Sequence, residues 1–200
     1  MSASPVPPVP ARPLLLAGLL PLPWFLAFAT VAGALRPGYN AAAQHVSELT
    51  TSPGLPHTLA SVAALGAGVG FVAFAVGLWR ATGRAVSFGS LCWAVFGASM
   101  ISNGLWPMGS PLHGLYAVGV LNLVAPALAL LELRDLRDRA VPLGVTVLAS
   151  VAGVVYLWLN LTGNDPGGYR GLTQRVFSAI NAVWPAVIAV CLLRARRPAV

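Results

Sequence analysis

Residues 58–79 read TLASVAALGAGVGFVAFAVGLW, a run with no charged side chain, in which Thr58, Ser61 and the indole of Trp79 are the only polar groups. The hydrocarbon core of a bilayer is about 30 Å thick, so a helix needs about 20 mostly apolar residues to cross it. The run meets that requirement, and Arg80 follows at its end. It reads as a membrane-spanning helix. Gly66 and Gly70 form a GxxxG pair within it, a spacing that lets two helix backbones approach closely.

Five further stretches qualify in the same way: roughly 14–35, 86–106, 113–133, 141–162 and 174–194. Arginine, proline or glycine bounds each of them. The composition agrees, with 57% hydrophobic and only 8% charged residues. A soluble domain carries roughly 25% charge, and a chain this poor in it could not cover its own surface. The expected fold class is therefore all-α: a polytopic membrane protein, a bundle of six transmembrane helices over residues 14–197. The first 13 residues, MSASPVPPVPARP, are proline-rich and too polar to pack, and are expected to form a disordered cytoplasmic tail. Ala27 and Ala29 give the first apolar run an A-x-A arrangement. That run exceeds the roughly 7–15 residues of a signal core, and only one arginine precedes it, so it counts as the first span.

The net charge of +7 comes from 12 arginines and no lysine. They cluster at the ends of apolar runs, as the positive-inside rule requires, rather than in a nucleic-acid-binding patch. With the N-terminus inside, Arg12, Arg80, Arg84, Arg134, Arg137, Arg139, Arg194, Arg196 and Arg197 lie on the inner side. Arg36, Arg170 and Arg175 lie outside. Both termini are expected to face the cytoplasm of a cell whose membrane the chain crosses. Cys92 and Cys191 fall inside apolar segments, as packing residues rather than a disulfide or metal pair. On the inner side, Glu132–Arg139 reads as a solvated extension of the fourth helix, with Arg134–Asp138 and Asp135–Arg139 four apart on its surface.

The outer connections are richer. Loop 36–57 contains RPGYNAAAQHVSELTTSPGLP, where Asn40 suits an N-cap and Ala41–Leu49 a short interfacial helix ended by Pro53-Gly54. Ser110 and Pro111 are placed to open the fourth helix, with His113 in its first turn. Asp165, beside Pro166 and Gly167, reads as a turn former.

Polar side chains inside a bilayer are costly and usually turn inward. Ser99, Ser102, Asn103 and Trp106 share one face of the third helix. Gln174, Ser178 and Asn181 share a face of the sixth, Tyr156 and Asn160 are four apart on the fifth, and His113 and Tyr116 three apart on the fourth. These positions fall in the outer halves of their helices, and the simplest arrangement is a polar cavity opening outward beneath the loop helix. In it, Glu48 is the candidate acid or base, with His45 or His113 sharing the task. Arg175 is placed either to pair with Glu48 or to bind an anionic head group. His45, Glu48 and His113 also offer a two-histidine, one-carboxylate set for zinc, although no cofactor is required. Trp24, Trp93 and Trp184, if they lined the cavity, could stabilise a carbocation through their π faces.

Three blocks carry a family resemblance. Tyr39-Asn40 followed by His45-Val46-Ser47-Glu48-Leu49 resembles the "Y-(D/N)-x…(H/Q)-x-(V/I)-S-x-L" signature of an uncharacterised prokaryotic membrane family, domain-of-unknown-function family 998. Gly104-Leu105-Trp106-Pro107 with His113-Gly114 is similar to its "G-x-F-P…H-G" block, with Trp106 replacing phenylalanine. Gly171-Leu172-Thr173-Gln174-Arg175 resembles its "G-x-x-Q-R" element. The resemblance implies a six-helix membrane protein and no established activity.

The resulting expectation is a membrane enzyme acting on a lipid or isoprenoid by acid/base chemistry, either terpenoid cyclisation or lipid hydrolysis. Glu48, His45 and His113 would be catalytic. Tyr39, Asn40, Ser47, Asn103, Trp106, Tyr116, Asn160, Gln174, Arg175, Ser178 and Asn181 would bind the substrate. The alternative is a non-catalytic sensor, transporter or assembly partner. Neither reading involves nucleic acid, and the oligomeric state is open.

Overall fold

The computed structural model describes residues 11–115 and 119–195. Among them the only regular structure is helical. Seven α-helices follow in order: α1 (Ala11–Leu16), α2 (Pro21–Leu35), α3 (Leu55–Thr82), α4 (Phe88–Leu105), α5 (Ala125–Glu132), α6 (Ala140–Thr162) and α7 (Arg170–Ala195). Four of these, α3, α4, α6 and α7, are long and apolar enough to cross a membrane, and α1 with α2 makes a fifth if the bent pair is one span. Exposed Val147, Val151, Val154, Trp158 and Leu161 give α6 an outward surface suited to lipid and not to water. The chain is built as a multi-pass membrane protein.

The first span differs from its expected continuous form. It bends by about 40° between α1 and α2. Pro21 has no amide hydrogen to continue the α-helical ladder, and the break is bridged by a 3₁₀ turn in which Leu20 N–H donates to the Ala17 carbonyl at 3.2 Å. Helix also begins earlier than expected: Ala11, Arg12 and Pro13 belong to α1, not to a tail, and residues 1–10 lie outside the described ones.

Glycine makes the packing of α3 possible on two sides. A Cβ added to Gly68 would stand 2.6 Å from the Gly97 carbonyl oxygen, and one added to Gly97 2.8 Å from that of Gly68. Backbone therefore meets backbone between α3 and α4, as small residues permit. On its other side α3 receives α2 through the predicted pair: a Cβ on Gly66 would overlap the Trp24 indole, and Gly70 lies against Pro21. Trp93 and Trp184 stack in the centre with ring centroids 5.3 Å apart. Both are fully buried, as are Phe74 and Leu78 beside them.

The fourth expected span, 113–133, is not one helix. Its described residues form 3₁₀ turns at His113–Leu115 and Val120–Leu123, followed by α5. Gly114 at φ 75° breaks the first turn, and Ser110 caps only a local turn, accepting from Leu112 N–H at 3.3 Å. Even so, this stretch returns along the whole of α4. At one end the His113 imidazole meets the Trp106 carbonyl at 2.7 Å. At the other, Glu132 accepts from Ser87 Oγ at 2.5 Å and Phe88 N–H at 2.8 Å. Irregular backbone at membrane depth must have its polar groups satisfied. Ser99 and Ser102 of α4 do this by donating to the Gly114 and Leu112 carbonyls.

The inner connection also departs from expectation. The helix stops at Glu132, which is buried, and residues 133–139 form turns. The expected pairs four apart do not form, and the ion pair present is Arg137–Asp138 at 3.5 Å. Cys92 and Cys191 are free thiols in the bundle, as expected.

Candidate functional site

Three connections meet at one end of the bundle: 36–54, 106–112 and 163–169. The first is not the expected helix. Asn40 Oδ1 accepts from the amides of Ala42 and Ala43 at 3.0 and 3.3 Å, making a tight turn. The chain then enters a 3₁₀ helix, Val46–Thr51. Glu48 organises this loop from within. Its Oε1 accepts from His45 N–H at 2.8 Å and its Oε2 from Gln44 Nε2 at 2.9 Å.

Arg175, at the start of α7, holds the loop to the bundle. Its Nη1 donates to the carbonyls of Ala41, Gly171 and Gln44 at 2.7, 2.9 and 3.1 Å, and its Nη2 to Tyr39 Oη at 2.7 Å. The anticipated Glu48–Arg175 ion pair is absent, because each side chain is engaged by other groups. Gln174 adds a second tie, accepting from Val46 N–H through Oε1 at 2.8 Å. Gly171 has no room for a side chain, since a Cβ there would overlap the carbonyl oxygens of Gln44 and Ala41. The second connection joins through Met108 N–H, which donates to Thr50 Oγ1 at 2.9 Å. The first and third blocks that carry the resemblance therefore touch directly, and the second is tied to the first through the adjoining Met108 and Thr50.

Beneath this roof lies a cavity of about 670 Å³. Its apolar wall includes Leu22, Phe25, Ala64, Phe71 and Phe96. Eleven of the polar residues expected to share a pocket do line it, Ser99 and Tyr156 among them. His45 and Ser47 come from the loop, Asn103 from α4, and His113 from the irregular segment. Asn160 comes from α6, and Gln174, Arg175, Ser178 and Asn181 come from α7. Four elements and a loop converge as the helical offsets implied.

Other expected residues do not reach it. Tyr39, Asn40 and Glu48 build the loop and Trp106 faces outward, so none of these four is on the cavity wall. Tyr116 lies outside the described residues. The tryptophans are not lining residues either: Trp93 and Trp184 form the core, and Trp24 lies against the side of α3, donating to the Val62 carbonyl at 2.9 Å. The aromatic surface instead comes from Phe25, Phe71, Phe96, Tyr156 and Phe177. Among the described residues no three His, Cys, Asp or Glu side chains gather closely enough to hold a metal, so the His45–Glu48–His113 set is not assembled.

Residues 19–191 of the chain match a known family model. The chain belongs to the family of proteins of unknown function DUF998. No curated protein and no solved structure matches it. For this DUF998 protein the geometry of the site is therefore the principal guide to chemistry. Within the roof, burial pushes the His45 imidazole below its usual range. Glu48 and Asp165 oppose that shift, and Arg170 and Arg175 reinforce it. His45 is thus held neutral near pH 7, the form of a base or hydrogen-bonding group. Its Nε2 is buried with no hydrogen-bond partner. Asn181 also has an unpartnered buried Oδ1, one turn before Pro185, which cannot donate to the Asn181 backbone carbonyl. Sequence reasoning missed Asp165: it is the one buried residue of its loop, and the turn pattern around it gave no signal of that.

Proposed function

We propose that this DUF998 protein is an enzyme of the cell membrane that takes a lipid or isoprenoid into the cavity and acts on it by acid/base chemistry. The observation that carries this reading is the cavity's division into an apolar wall and a polar end. An amphipathic molecule fits such a site, with its chain against Phe25, Phe71 and Phe96 and its polar group among His45, Gln174 and Arg175. Proton transfer is assigned to the neutral His45 imidazole. Glu48 is assigned a supporting role because both of its oxygens already accept hydrogen bonds in the loop. Hydrolysis of a lipid bond suits this base better than cyclisation, which needs an acid facing a dry aromatic wall, and no carboxylate lines this cavity. The same lack of a carboxylate favours one second reading, a non-catalytic lipid-binding sensor or partner.

The topology proposed with this function has six crossings and both termini in the cytoplasm. The stretch from His113 to Glu132 would supply the sixth crossing, since it spans the length of α4, and the arginine bias supports the orientation. Single cysteines at positions 38, 110 and 167 should then react with an impermeant maleimide added outside cells. Cysteines at 85 and 135 should not.

The functional test is incubation of the purified protein in nanodiscs with phospholipids and with isoprenoid alcohols and diphosphates, followed by mass spectrometry of products and co-purified lipid. Turnover lost in folded His45→Gln supports the enzyme. A bound but unchanged lipid, indifferent to His45→Gln, favours the binder, and no bound lipid with no turnover eliminates both.

A further inference from the structure

The cavity wall holds a polar group that the protein itself does not serve. Asn181 is only 6% exposed and lies on that wall, and its Oδ1 is buried with no hydrogen-bond partner. One turn further along α7, Pro185 has no amide hydrogen, so the Asn181 backbone carbonyl also lacks its usual helical donor. Burying an amide oxygen without a donor is unfavourable, and an apolar side chain of similar size would avoid that cost. The place calls for a donor that comes from outside the chain.

Asn181 is set apart from the roof. It follows Arg175 on α7 by six residues, which at about 1.5 Å per residue puts it about 9 Å deeper in the bundle. Gly153 of α6 borders the same spot: a Cβ there would stand 2.6 Å from Leu123 Cδ2 and 3.6 Å from Asn181 Nδ2. Thus α6, α7 and the 120–123 turn meet at this level. Ser178, one turn nearer the roof, and Asn122, next to Leu123, also line the cavity. Among the described lining residues there is no carboxylate, and the arginine is Arg175 in the roof. A cationic donor would therefore be buried without a counter-charge, which is costly. The donor that fits is neutral. A hydroxyl is the smallest such group, and its lone pairs can accept from Ser178 or Asn122.

We propose that Asn181 forms a second polar subsite of the cavity, which selects a lipid or isoprenoid carrying a hydroxyl partway along its apolar chain. The head of the ligand lies in the roof among His45, Gln174 and Arg175, and the hydroxyl, about 9 Å below, donates to Asn181 Oδ1. An unsubstituted chain leaves that oxygen unmet. A site built to hydrogen-bond a hydroxyl discriminates against the analogue that lacks it. The proposal rests on the reading of the cavity as a lipid site and adds the class of lipid. It does not depend on which group moves a proton.

The experiment is equilibrium binding of three tritiated probes, stearate, 10-hydroxystearate and 2-hydroxystearate, to the full chain in detergent, read by scintillation proximity. The wild type should bind 10-hydroxystearate about fivefold more tightly than stearate, the scale of one hydrogen bond. The hydroxyl of 2-hydroxystearate stays beside the carboxylate in the roof, so that probe should show no comparable gain. In Asn181→Leu, with folding checked by thermal unfolding, the preference for 10-hydroxystearate should vanish. Equal binding of all three probes by the wild type overturns the subsite and leaves the lipid reading standing. A preference that persists in folded Asn181→Leu does the same. Binding of none of the probes overturns both. If Asn181→Leu does not fold, the dependence on hydroxyl position in the wild type decides alone.

Discussion

The guanidinium of Arg175 donates to the phenolic oxygen of Tyr39 at 2.7 Å, joining positions 136 apart in the chain. Tyr39 in turn is placed to donate to the Gln44 or His45 carbonyl, each 3.2 Å away. Arg36 and Arg175 both lie near the tyrosine ring, 5.8 and 5.9 Å from its centroid. The cation is thus stabilised by neutral oxygens and a π face, and this arrangement fixes the roof of the cavity.

Arg175→Lys should destabilise the fold by roughly 1.5–3 kcal/mol. A lysine keeps the charge but cannot present a planar fork to four acceptors, and hydrogen bonds to charged groups are worth about that much. Denaturant unfolding in detergent should show the loss. A double-mutant cycle with Tyr39→Phe should show coupling, and additivity of the two losses would contradict the contact's importance.

Gly171→Ala should also cost about 1–3 kcal/mol, the usual penalty of forcing a methyl into a filled site. The methyl would meet backbone oxygens of the 41–44 turn, which have nowhere to retreat without breaking the Arg175 contacts. Gly144→Ala makes the contrast, since a Cβ there meets nothing within 4 Å. It sits in α6, where alanine is favoured over glycine by roughly 0.5–1 kcal/mol, so this variant should melt higher.

Glu132→Gln should weaken the opposite end of the bundle by roughly 1.5–3 kcal/mol. The carboxylate accepts from both Ser87 Oγ and Phe88 N–H at the start of α4. An amide can accept through only one atom, and its NH₂ would face a donor. Proteolysis of the 133–139 turns should accelerate in the variant if this tie seats them.

Asn181→Leu should raise stability by about 1 kcal/mol, because it removes a buried acceptor that has no partner. The same change should weaken capture of a lipid with a polar head group. A melting temperature that rises while lipid retention falls is the expected combination.

Acid should loosen the roof. Burial lowers the folded-state pKa of His45 below its ordinary 6.5, so the unfolded chain binds the proton first. The stability His45 contributes is fully present above pH 6.5 and is lost as pH falls from there through the folded value. Unfolding measured between pH 8 and 5 should show this decline in the wild type and a flatter profile in His45→Gln.

The sequence alone determined that the chain lives in a membrane, where its apolar runs lie, and which residues could share a pocket. Those properties follow from local composition and helical periodicity, which hold wherever a helix forms. The face shared by Gln174, Ser178 and Asn181 is an example, and all three line the cavity. What tertiary structure alone decided is how each polar group is used. Ser102 read like a pocket residue, yet it satisfies the broken backbone by donating to the Leu112 carbonyl, and Ser99, which does line the cavity, donates to that of Gly114. Glu48 and Arg175 read like a pair, yet each is engaged by different oxygens or amides. Asp165 read like a turn former, yet its carboxylate is buried. Hydrogen-bond partners are chosen by atoms that meet only after distant segments pack, so one residue's type and spacing cannot specify them. The breaks at Pro21 and Gly114 belong to the same class, because neighbouring helices supply the partners that let an interrupted span persist.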